Sequence, residues 1–171
     1  PKGVDYFVRA AEKVVRYDPN IIFVISGKGD MEQQIMQQVA GMGLSEHVRF
    51  AGALWGEDRD RMYSAADLLV MPSVSEPFGL VPLEAIRFGT PSIISKQSGV
   101  AEVFTHALKV DFWDVDEMAN QILAATRYSA LHGQLTNSGK QELWRFHWRH
   151  AATKVKELYQ RLVQWTQQKL A

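Results

Sequence analysis

Two glutamates, Glu76 and Glu84, stand with seven residues between them in the run Met71-Pro72-Ser73-Val74-Ser75-Glu76-Pro77-Phe78-Gly79-Leu80-Val81-Pro82-Leu83-Glu84-Ala85-Ile86. The run reads as a strand end, a loop and a helix. Pro82 suits the first turn of that helix, where a missing amide hydrogen costs nothing, and Gly89 followed by Pro91 marks its end. A helix that begins near Gly79 aims the unpaired amides of residues 78–81 and the positive end of its dipole into the cleft, which makes a phosphate site. Carboxylates repel phosphate but accept hydrogen bonds from hydroxyls. Together these groups suit a ligand with a diphosphate at its centre and a hydroxyl-rich sugar at each end, the chemistry of a nucleotide sugar.

The elements that must position these residues alternate. Phe7, Ala10, Ala11 and Val14 recur at helical spacing, and Ile21-Ile22-Phe23-Val24-Ile25 follows as a continuous apolar run that predicts a strand buried on both faces. Helix, strand, helix and strand continue at 30–39, 48–50, 57–66 and 68–71. A helix around 82–88, a strand at 91–95, a short helix at 101–104, a strand at 108–112 and only helical patterns from Asp114 complete the chain. Alternation of this kind predicts an α/β fold: a doubly wound, Rossmann-like parallel sheet with helices on both faces and C-terminal helices. Ligands in such sheets sit beyond the carboxyl ends of the strands, so the loops at 26–30, 51–56, 72–81 and 96–101 are the ones to inspect. The chain opens on a helix where such a domain normally opens on a strand. A strand and its loop are therefore expected just upstream of Pro1, in a longer polypeptide.

Composition limits the rest. With 171 residues and 46% hydrophobic content the chain suits one domain with an ample core. Nineteen basic against nineteen acidic side chains argue against nucleic acid as a partner, and the absence of cysteine excludes disulfides and thiolate chemistry. No apolar run reaches the roughly 18–20 residues that span a bilayer, which predicts a cytoplasmic domain. Gly27-Lys28-Gly29-Asp30 lacks the third glycine of a dinucleotide fingerprint, since position 32 is Glu32. No metal site is predicted, because His147 and His150 have neither a nearby carboxylate nor a third histidine. Charge is divided unevenly: residues 1–138 carry 12 basic and 17 acidic groups, residues 139–171 carry 7 and 2, along with Trp144, Trp148 and Trp165. Val155, Leu158, Tyr159 and Leu162 give this tail an amphipathic helix, expected to pack on its own domain. Docking to a missing domain, or peripheral contact with an anionic membrane through Arg145, Arg149, Lys154, Lys156 and Arg161, is the other reading.

The glutamate pair and its setting resemble the retaining GT-B glycosyltransferases of the glycogen-synthase-like group, glycosyl transferase group 1, family four, in their C-terminal donor-binding domain. Lys2-Gly3, Gly27-Lys28-Gly29-Asp30, Val48-Arg49-Phe50-Ala51-Gly52, Ala65-Ala66-Asp67, Gly89-Thr90-Pro91 and Gly99-Val100-Ala101-Glu102-Val103 follow the family's order across most of residues 2–104. The resemblance implies one half of a GT-B fold, spanning residues 1–171, that binds a UDP-, ADP- or GDP-hexose without a metal or other cofactor. It implies that Glu76 is the catalytic carboxylate, binding the transferred sugar and steadying charge near its anomeric carbon, and that Glu84 holds the ribose. Lys2 would meet the diphosphate, the amides of Phe78, Gly79 and Leu80 the diphosphate and sugar, and the loop at Phe50, Ala51 and Gly52 the base. Transfer to a glycan or other hydroxyl acceptor would need an N-terminal acceptor domain, so this domain alone is expected to be inactive. The family's arginine before the lysine has no counterpart, and its usual Gly-Gly reads Ser98-Gly99. A non-catalytic nucleotide- or glycan-binding module, or an epimerase or phosphorylase on the same architecture, fits the same residues.

Overall fold

The computed structural model describes residues 2–170. Helices and strands alternate through α1 (Val4–Tyr17), β1 (Phe23–Ser26), α2 (Glu32–Gly41), β2 (Val48–Gly52), α3 (Gly56–Ala65), β3 (Leu69–Met71), α4 (Val81–Phe88), β4 (Ser92–Ser95), α5 (Val100–Val103) and β5 (Leu108–Val110). Then come α6 (Val115–Arg127), α7 (Ser129–Glu142), a 3-10 turn (Leu143–Phe146) and α8 (Trp148–Leu170). Every strand pairing is parallel, as the intervening helices require. The ladder comes in two pieces, β1 with β2, and β3 with β4 and β5 in that order. The strand expected upstream of Pro1 lies outside the described residues.

Both faces of the sheet are covered at β4, as two of its adjacent residues show. Side chains alternate across a strand. Ile93 joins a core built with Val8, Ala11 and Val14 of α1, Phe23 of β1, Val48 of β2 and Met118 and Ile122 of α6. Ile94 joins the opposite core, with Leu83 and Ile86 of α4, Val100 of α5 and Phe104. Both isoleucines are fully buried, each worth about 1.5–3 kcal/mol relative to exposure. The first core spans both ladders, so side chains join what backbone pairing does not.

Three expectations need correction. The apolar run at 21–25 is amphipathic in place, with Phe23 buried but Val24 40% exposed, because α1 and α2 pack on the Phe23 face and Val24 points to the opposite one. The helix expected from about Gly79 starts at Val81, because Gly79 holds a positive φ of 96° that no helix can continue. The terminal amphipathic helix does not pack on its own domain. Val155, Leu158, Tyr159 and Leu162 of α8 are all at least half exposed, and Trp148 is 86% exposed. The 3-10 turn stays attached through Phe146 edge-on to Phe104, after which extended backbone at His147 carries the chain away from the core. Among the described residues no helix is long and apolar enough to cross a membrane.

Candidate functional site

Residues 72–80 connect the carboxyl end of β3 to α4, and a neighbouring loop pins their path. Glu76 forms an isolated parallel bridge with Ser98. The Gly99 amide donates to the Glu76 carbonyl at 3.0 Å, and the Val100 amide donates to the Phe78 carbonyl at 2.7 Å. Gly99 must lack a side chain, since a Cβ there would stand 2.2 Å from the Pro77 carbonyl oxygen. The single glycine of Ser98-Gly99 therefore suffices for the close approach. A Cβ on Gly79 would meet Met71 Cε at 2.9 Å and Glu76 Cγ at 3.1 Å, so this glycine makes room for the Glu76 side chain as well as for the turn.

The start of α4 offers unpaired donors. Among the described residues, the amides of Phe78, Gly79, Leu80 and Val81 donate to no protein acceptor, and Leu80 caps the helix without a side-chain bond. The Leu80 carbonyl accepts from Leu83 and Glu84, which fixes the first turn. Glu76 lies on one side of these amides in the sequence and Glu84 on the other.

Lys2 reaches this group from the far end of the chain. Its Nζ lies 2.5 Å from Glu76 Oε2. The contact is possible because Gly3, at φ 68°, starts α1 against β3, where a Cβ would fall 1.9 Å from the Pro72 carbonyl oxygen. The Lys2 side chain is 68% exposed whereas that of Glu76 is 16% exposed, so the carboxylate is sheltered and its cation faces solvent.

Glu84 has partners that the sequence did not announce. The Tyr63 hydroxyl donates to Glu84 Oε2 at 3.0 Å, and Arg59 Nη1 donates to Oε1 at 3.4 Å. Burial and then the bond to Glu84 push the Tyr63 phenol up to about 12, so it stays a donor at neutral pH. Arg59 and Tyr63 are four apart on α3, so they share a helix face, and that spacing was the available signal. What the pattern lacked was the packing of α3 on α4.

Ala51 stands apart from this group. Residues 50–52, expected as a loop, are the end of β2, which runs two residues further than its apolar pattern suggested. Phe50 pairs with Ile25 and Gly52 with Ser26, leaving Ala51 as the extra residue of a bulge. The Gly52 carbonyl accepts from the Gly27 amide at 2.7 Å and the Ser26 hydroxyl at 3.0 Å, binding this strand end to the loop after β1. The structure thus brings Lys2 to Glu76, while Phe78, Gly79 and Leu80 lie between Glu76 and Glu84 along the chain and Ala51 lies on the other ladder. Among the described residues no group of three or more His, Asp or Glu side chains is placed to hold a metal ion.

Residues 1–142 match the family model of glycosyl transferases group 1. An uncharacterized glycosyltransferase of Methanocaldococcus jannaschii is 38% identical over 105 residues, covering 61% of this chain and 27% of the relative. Mannosylfructose-phosphate synthase of Agrobacterium fabrum is 28% identical over 149 residues, covering 81% of this chain and 33% of the relative. The chain thus spans about a third of the length of these curated relatives. The crystal structure of HepE from Anabaena in complex with UDP and glucose superposes with a TM-score of 0.81 at 22% identity, over 93% of this chain and 45% of that one. The C-terminal domain of the group 1 glycosyl transferase LpcC from Francisella tularensis superposes at 0.76 with 23% identity, over 84% of this chain and 78% of that one. These neighbours show the fold, the C-terminal half of a GT-B glycosyltransferase.

Proposed function

The chain belongs to the glycosyl transferases group 1 family, and from that premise we propose that it is the donor-binding half of a retaining hexosyltransferase whose acceptor half lies outside it. The donor is a UDP-, ADP- or GDP-hexose and the acceptor a glycan or another hydroxyl compound. One observation carries the reading: four amides without a protein acceptor open α4 between two carboxylates, one of which holds an ammonium group.

Each part has work to do in such a transfer. As the bond from the anomeric carbon to phosphate breaks, negative charge grows on the leaving diphosphate, and the amides of residues 78–81 with Lys2 stabilise it without a metal. Lys2 turns from Glu76 toward the diphosphate, which carries more charge than one carboxylate. The freed Glu76 then accepts hydroxyls of the transferred sugar and steadies positive charge at its anomeric carbon, while Glu84 accepts the ribose hydroxyls. The acceptor hydroxyl arrives on the face the diphosphate leaves, its oxygen bonds the anomeric carbon and its proton passes to the departing diphosphate oxygen, so configuration is retained. HepE, alike in fold, holds UDP and glucose, which makes UDP the first nucleotide to try.

Calorimetric titration with UDP, ADP, GDP and their glucose conjugates, on the unaltered chain and on Glu84→Ala, tests the reading. Selective binding of one nucleotide, weakened about tenfold or more by the substitution, is the expected result. Affinity untouched by Glu84→Ala, or indifference to all three nucleotides, overturns it.

A further inference from the structure

A lone carboxylate on a helix is a loose receptor for a sugar. Its rotamers must be fixed before both oxygens can meet two hydroxyls, and that ordering weakens binding unless it is completed beforehand. Glu84 arrives already ordered. Tyr63 bonds one of its oxygens and Arg59 the other. A carboxylate has about four acceptor positions, so each oxygen keeps capacity for one further hydroxyl.

The two holders are themselves fixed. Tyr63 is buried, its ring stacks on Phe88 at 6.1 Å between centroids, and its carbonyl accepts from the buried Thr90 hydroxyl. Arg59 is held by Asp60, whose Oδ1 accepts from Nη2 at 2.9 Å and Nε at 3.2 Å. Phe88 ends α4 and Thr90 comes from the turn after it, so Tyr63 is anchored to the C-terminal end of the helix that carries Glu84.

We propose that Tyr63 and Arg59 are positioning residues that aim the Glu84 carboxylate at two neighbouring hydroxyls of one ribose, and so set a preference for ribonucleotide over deoxyribonucleotide donors. This rests on the reading of Glu84 as the ribose-binding carboxylate. With the carboxylate aimed, removing one ribose hydroxyl strands an oriented charged acceptor, which costs about tenfold in affinity. Without the holders Glu84 swings to follow whichever hydroxyl remains, and the penalty shrinks.

The test compares dissociation constants for the best-bound of UDP, ADP and GDP and for its 2′-deoxy analogue. Four proteins are measured: the unaltered chain, Tyr63→Phe, Arg59→Gln and Glu84→Gln. The ratio of two constants measured on one sample does not depend on how much of that sample is folded. The expected result is a ratio of about ten in the unaltered chain that falls at least threefold in Tyr63→Phe and Arg59→Gln and nearly vanishes in Glu84→Gln. If Glu84→Gln removes the preference and both holder variants keep it, the positioning role is overturned and Glu84 keeps its ribose. If Glu84→Gln keeps the preference, the reading of Glu84 itself fails, and the role of its holders with it. Should Tyr63→Phe fail to fold, Arg59→Gln decides, since that side chain is partly solvent-exposed.

Discussion

The Lys2 ammonium sits 2.5 Å from Oε2 of Glu76, joining groups 74 positions apart in the chain. Gly3 against Pro72 makes the meeting possible, and Gly79 leaves the carboxylate room. A cation that is mostly exposed but paired to a sheltered anion can exchange partners at little cost. An incoming diphosphate would be such a partner.

Replacing Lys2 by Ala separates stability from binding. An exposed pair contributes about 0–1 kcal/mol, so denaturant unfolding should shift by no more than that. Affinity for a nucleoside diphosphate, read by calorimetry, should fall about tenfold or more. A large loss of stability with unchanged affinity would make the pair a structural one.

Gly99→Ala should disturb the donor loop. The new methyl would stand 2.2 Å from the Pro77 carbonyl oxygen, and the atom in its way is backbone, so the segment carrying Glu76 must move. Overpacking of this kind costs about 1–3 kcal/mol. Thermal unfolding should show that loss, and nucleotide titration a weakened site; a protein of normal stability and affinity would show that the bridge from Ser98 to Glu76 tolerates expansion.

Within α7, Gly139→Ala sets two effects against each other. Helix propensity favours alanine by about 1 kcal/mol. The added Cβ, however, would lie 2.8 Å from Ile86 Cγ1 and 2.9 Å from its Cδ1, and Ile86 is fully buried with no room to retreat. Steric cost of about 1–3 kcal/mol should win, and the variant should melt lower. Adding Ile86→Val removes Cδ1, one of the two obstructing atoms, and leaves the shortened side chain room to shift, so the double variant should recover part of the loss; strict additivity would refute the contact.

Glu142 supplies the pH dependence. Burial pushes its carboxyl up, but bonds from the His106 ring and from the Thr105 and His106 amides outweigh this and hold it below the usual carboxylate range. A carboxyl lowered on folding adds stability above its unfolded pKa of about 4.3, and that stability disappears as pH falls through the folded value. The unfolding midpoint should therefore change little through this group near neutrality and drop below about pH 4. Glu142→Gln should cost about 2 kcal/mol at pH 7, where two amides and the His106 ring lose a charged acceptor. Its acid limb should be shallower. A variant that loses stability equally at all pH values would contradict the assignment.

The local pattern carried much of this molecule. The α1 spacing placed Ala10, Ala11 and Val14 correctly in the core, and alternation alone specified a parallel α/β fold. Proline at the start of α4 and glycine after it marked that helix to within two residues. Relations between elements were less visible. Nothing near Glu84 announces Tyr63, 21 positions earlier, because their bond depends on how α3 lies against α4. Exposure of Val24 was hidden for the same reason, since an apolar run does not say how many of its faces will be packed. The stripe on α8 named a face of the helix and left its covering unspecified.

Enclosure of β4 has a kinetic consequence. A strand paired on both sides and packed on both faces opens only when the elements around it open. Amide hydrogen exchange should then rank the strands by how far each is enclosed. The slowest amides should be those of β4, which is flanked by strands on both sides and buried along its whole length. Those of β2, which among the described residues pairs only with β1 and has Arg49 facing water, should exchange earlier, making the strand end that holds Ala51 the quicker to loosen.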